Sequence, residues 1–140
     1  MRNPTVRDDL FYDRLAAWIE SRRHIPFAWA ANDCITCAAS WVEAATGDTP
    51  LPALLEYHTA DEAAALLAER GGLEKAVAEA MEVAGFQPCG TGHAARGDVV
   101  LARHAGVVAV GVCIGAEVVV PGPDGLVFVP RGCIIRAWGI

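Results

Sequence analysis

The chain is poor in positive charge, and what it has is scattered. Eleven Lys and Arg stand against 17 Asp and Glu, giving a formal net charge of −6. Nucleic-acid grooves need clustered cations, so that class of partner is excluded. Only Arg22-Arg23-His24 cluster, at the end of a predicted helix where cations suit the dipole. Long apolar runs are also missing: none reaches the ~20 residues of a membrane span. The opening stretch MRNPTVRDDLFYDRL is too polar for a secretory signal, so cytoplasmic synthesis is expected. The five cysteines, at 34, 37, 89, 113 and 133, are odd in number and show no disulfide framework. Free thiols in a reducing compartment are the expectation. Neither an internal repeat nor a second domain is visible. What is present is 140 residues, 54% hydrophobic and 20% charged, enough for one core without metals or staples.

The first half of the chain carries helical periodicity. Residues 8–23 place Phe11, Leu15, Trp18 and Ile19 on one stripe, with Asp8 and Asp9 at the start and Pro26 past the end. Asp33 is the expected N-cap of a helix from Cys34 to about Thr46, closed by Gly47. Its apolar stripe reads Cys34, Cys37, Ala38, Trp41, Val42 and Ala45. Thr59-Ala60-Asp61-Glu62 reads as a capping box opening a helix to about Glu69, and another follows from Leu73 to about Ala84. The last third changes period. DVVLAR, VVAVGVCIG, EVVV, GLVFVP and CIIRAW are β-branched runs separated by Gly and Pro turns. Connections this short imply an antiparallel meander of four or five strands. The fold class is therefore α+β, with N-terminal helices packed on a C-terminal sheet. One domain over 1–140 is expected: an N-terminal helix in 1–25, the Cys34 helix in 26–47, a helical insert in 48–95 and the sheet in 96–140.

Pro26 to Cys37, PFAWAANDCITC, is the stretch that points to chemistry. A thiol in the first turn of a helix meets unpaired N–H groups and the positive dipole end, which favour thiolate. Cys34 is the candidate nucleophile. Asp33 works against this, because a neighbouring negative charge raises a thiol pKa. Cys34 and Cys37 also spell Cys-x-x-Cys, so a redox or metal-binding domain is a further reading. Redox sites of that pattern follow a strand, zinc needs a second ligand pair, and two core cysteines at i, i+3 account for the spacing better than either.

A cysteine heading a helix, followed by an antiparallel sheet beginning Arg96-Gly97-Asp98-Val99-Val100-Leu101, resembles the papain-like hydrolases, and among them the NlpC-type cell-wall peptidases. Asp33-Cys34 matches the pair that opens the nucleophile helix of that family. Ala109-Val110-Gly111-Val112-Cys113-Ile114-Gly115 matches its His-Val-Gly-Ile strand. The resemblance runs from about Pro26 to the C-terminus. Closer still, PFAWAANDC, the helical insert ending in Gly-Gly and the close PDGLVFVPRGCIIRAWGI resemble small proteins encoded in tail-assembly modules of phages and prophages.

The resemblance implies a papain-like fold, a place in the virion tail, and tail-tip or hub proteins as partners, with host peptidoglycan as a further one. It implies no cofactor and no metal. It also exposes a departure. The family's catalytic histidine falls on Ala109, and its third polar residue falls near Val120 and Pro121. Cysteine catalysis needs a base held by a partner, and Ala, Val and Pro supply neither. The expected function is therefore a tail component that has lost catalysis and serves structure or assembly. The alternative is an active hydrolase of peptidoglycan peptides, with His104 or His93 as base. His104 lies five residues before Ala109, roughly 16 Å of extended chain, so a loop would have to fold it back over the cleft. His24 and His58 are expected in solvent.

Overall fold

The computed structural model describes Arg7, residues 9–48 and residues 56–140. The Thr49–Pro52 segment and Asp8 lie outside the described residues. Among the described residues four helices, α1 (Asp9–Arg22), α2 (Cys34–Thr46), α3 (Ala60–Glu69) and α4 (Leu73–Val83), precede a six-stranded antiparallel sheet. Its strands are β1 (Gln87–Cys89), β2 (Val99–His104), β3 (Val107–Cys113), β4 (Glu117–Gly122), β5 (Gly125–Pro130) and β6 (Ile134–Gly139). The α+β expectation holds.

Helix ends follow their caps. Asp33 caps α2, and Gly47 closes it in the left-handed region (φ 80°), donating its N–H to the Glu43 carbonyl. Only residues without a Cβ reach that conformation at little cost. The capping box at α3 differs in detail. Thr59 Oγ1 accepts from the Glu62 N–H at 3.1 Å, while the Glu62 carboxylate reaches the N–H of His58, one residue before the cap.

The sheet order is β1-β6-β2-β3-β4-β5. Strands β2 to β5 form the expected meander, but β6 returns to lie between β2 and β1. The physical reason is burial. Ile134, Ala137 and Trp138 on β6 are all buried, which suits a strand paired on both sides. Strand β1 falls inside the segment expected to be a helical insert. Its Gln-Pro-Cys has no β-branched residue, and Pro88 is tolerated because the strand is at an edge.

Both faces of the sheet are covered. Val99, Leu101, Val110, Val112, Val119 and Trp138 face the helices. Val100, Ala102, Cys113, Val118, Val129 and Ala137 form a second cluster on the other side, with Ala94 and Ile134. The centre of the first cluster is aromatic. Trp41 is fully buried, meets Phe11 edge-on at 5.4 Å, and donates its indole N–H to the Gly97 carbonyl at 2.8 Å. That bond ties α2 to the turn before β2. Asp98 holds the same turn: its Oδ2 accepts from the Ala95 N–H at 2.8 Å, and its Oδ1 pairs with the Arg7 guanidinium.

Candidate active site

The stretch PFAWAAND folds as a tight loop because two buried side chains organise its backbone. Asn32 donates from Nδ2 to the carbonyls of Ile25 and Pro26, both at 3.1 Å, and accepts from Arg22 at 3.2 Å. Asp33 Oδ2 accepts from the Ala30 N–H at 2.9 Å, where Ala30 adopts φ 64°. The other oxygen, Oδ1, accepts from the N–H groups of Ile35 (3.0 Å) and Thr36 (2.9 Å), and Thr36 Oγ1 accepts in return from the Asp33 N–H. These bonds fix the head of α2. Nothing in the composition of the stretch singled out Asn32; its role is visible only once the loop closes.

Cys34 then opens into a cleft of about 500 Å³. Four positions that the family resemblance placed at an active site meet in its walls: Cys34, Ala109, Val120 and Pro121. The rest of the lining is mostly aliphatic, with Phe27 and Trp29 stacked edge-on at 5.0 Å along one side. Trp29 is half exposed at 49% and forms part of the cleft wall.

The thiolate expected at the helix head does not form. Burial pushes the Cys34 thiol up to about 11, and the Asp33 charge adds to the shift. The backbone N–H groups of Val110, Cys34 and Ile35 act in the opposite direction, but desolvation outweighs them. Cys37, one turn deeper, is raised to about 11 chiefly by burial. Both members of the Cys-x-x-Cys are neutral thiols at pH 7.

The histidines are dispersed. His104 is the last residue of β2, paired with Val107, rather than part of the hairpin loop. It lines the cleft, yet its Nδ1 lies 3.7 Å from the sulfur of Cys133. His93 sits in an exposed 3-10 turn (Thr91–His93) and is not among the cleft-lining residues. His24 and His58 are exposed, as expected. Ala109 stands opposite Ala102 on β2, carries only a methyl group, and shares with Ala102 the sheet face turned away from the helices.

Tyr57 is the lining residue that sequence reasoning missed. It is 6% exposed, and its hydroxyl has no hydrogen-bond partner among the described residues. Burial and the nearby Asp33 carboxylate push the phenol far above its ordinary range, so it stays neutral. The Asp33 oxygen is close enough to act on the hydroxyl without completing a bond of standard geometry. Among the described residues no group of three or more His, Cys, Asp or Glu side chains is placed to hold a metal ion.

Residues 6–140 match a family described as a domain of unknown function (DUF6950). The chain belongs to the DUF6950 family. No curated protein and no solved structure matches it. Within this DUF6950 chain the cleft has a thiol, a phenol, a carboxylate and the His104 imidazole, and the first two are held neutral. Iodoacetamide should therefore alkylate Cys34 slowly at pH 7, with the rate rising steeply toward pH 11, as read by peptide mass mapping. The sign for stability follows from linkage. An unfolded thiol ionises near 9 and the folded one near 11, so stability is intact below pH 9 and falls as pH rises from 9 toward 11.

Proposed function

We propose that this chain is an NlpC-type, papain-like domain that has kept the place of the nucleophile and lost the base. It serves as a structural or assembly component of a phage or prophage tail, near the tip. The observation that carries the reading is the meeting of Cys34, Ala109, Val120 and Pro121 in one cleft. A hydrolase would have a thiol, an imidazole and an orienting polar group in those positions. Here the cleft walls hold a neutral thiol and three aliphatic residues in those positions.

Exposed apolar side chains around the cleft support a partner-binding role. Phe27, Trp29, Val107 and Val127 all line it and are exposed. Apolar surface of this kind marks interaction sites more often than idle surface. Tail-tip or hub proteins are the proposed partners, and the tail of the virion the proposed location.

The second reading is an active cysteine hydrolase of peptidoglycan peptides, favoured by the presence of His104 in the cleft wall. One set of measurements separates the two. For the structural role, phage carrying Cys34→Ala should assemble and infect normally, while Val127→Asp should block tail assembly. Peptidoglycan turnover by the purified protein, abolished by Cys34→Ser, would sink the structural reading.

A further inference from the structure

The chain folds so that a thiol and an imidazole 29 residues apart in sequence come together outside the Cys34 position. Cys133 closes the 3-10 turn Arg131–Cys133 between β5 and β6. His104 ends β2, the neighbour of β6 in the sheet. The Cys133 sulfur lies 3.7 Å from His104 Nδ1. That spacing is within the slack that a nucleophile and its base show before substrate binds.

Accessibility distinguishes this pair from the other thiols. His104 is exposed and Cys133 partly so. Cys37 and Cys113 are buried, and Cys113 has the Arg131 guanidinium against its sulfur. Cys34 and Cys37 hold their protons up to about pH 11. Cys89 is raised by burial and by Asp98. Reactivity follows thiolate character and access, and Cys133 alone among the five is both partly exposed and within reach of an imidazole.

The neighbourhood indicates what would react. His104 lines the cleft of about 500 Å³, whose walls include Val107, Val108, Val127 and Leu67, and Cys133 lies beside the His104 ring just outside that lining. A cavity of that size with aliphatic walls takes an uncharged apolar chain. We propose that Cys133 and His104 form a nucleophile–base pair that accepts apolar acyl groups from thioesters, with the acyl chain lying in the cleft. His104 Nδ1 takes the proton of the Cys133 thiol. The sulfur attacks the thioester carbonyl carbon, a new C–S bond forms, and the C–S bond to the donor breaks. The departing thiolate takes the proton from the imidazolium, so atoms and charge balance with no change of oxidation state.

The test uses the full chain and the decanoyl thioester of N-acetylcysteamine, followed by intact mass and peptide mapping. One decanoyl group should appear, on Cys133. Cys133→Ser should keep the native circular dichroism spectrum and take up no acyl group. His104→Ala should slow acylation at least ~10-fold, and added imidazole should restore it, which a purely structural role for the ring would not allow. The acetyl thioester should react more slowly than the decanoyl one. Acylation spread over several cysteines, a His104→Ala rate equal to wild type or unmoved by imidazole, or equal rates for the two chain lengths would overturn the proposal.

Discussion

Gly97→Ala should cost this protein about 2–5 kcal/mol, a large share of the ~5–15 kcal/mol that holds a typical domain together. Two effects add. Gly97 has φ +95°, where an L side chain is strained, a cost of about 1–3 kcal/mol. The new methyl would also stand 2.5 Å from Phe11 Cζ and 2.6 Å from Cε1, closer than real Cβ contacts come. Phe11 cannot swing away cheaply, because it is fully buried against Trp41. Shifting the backbone instead would break the bond from Trp41 to the Gly97 carbonyl. Urea unfolding should show a lower midpoint with an unchanged slope. A loss under ~1 kcal/mol would mean that α1 is free to slide and that the aromatic centre is less rigid than its packing suggests.

Asp33→Ala should come next, at about 2–4 kcal/mol, because it orphans three N–H groups at once. Ala30, Ile35 and Thr36 all donate to this carboxylate, and the residue is 1% exposed, so water cannot replace it without rearrangement. Thr36 Oγ1 would still accept from the backbone at position 33, which preserves half of the capping box. The substitution has a second readout. The Asp33 charge helps to hold the Cys34 thiol up, so its removal should bring that thiol down and speed alkylation at pH 8. Thermal unfolding and alkylation rates on the same variant check both. Unchanged stability would contradict the capping role, and unchanged alkylation would assign the shift to burial alone.

The local features were legible because they are written in neighbouring residues. Asp33 and Gly47 announced α2, and the five β-branched runs announced β2 to β6. The pairing of β6 with β1 and β2 was not legible, because a strand's neighbours depend on which of its faces must be buried, and Gln87-Pro88-Cys89 has no strand composition of its own. The site divides the same way. Cys34 was placed at the helix head from its cap alone. Its charge state was not, since the dipole is a local property while burial is set by cleft walls drawn from distant parts of the chain. Tyr57 gave no signal, sitting two residues before the Thr59 cap in a polar segment. The contact between His104 and Cys133 depends on β6 lying beside β2, so it stayed hidden with the sheet order.

That sheet order also makes the two rims of the sheet unequal. One rim is β1, three residues long with a proline in the middle, and it offers almost nothing to an incoming strand. The other is β5, six residues long, and part of it is already engaged by the Leu126 N–H bond to the Arg23 carbonyl. Among the described residues a single rim is open, and a sheet with one open rim can add one strand and no more. It can cap the edge of a neighbour's sheet, but end-to-end growth into a fibre through β-pairing is closed to it.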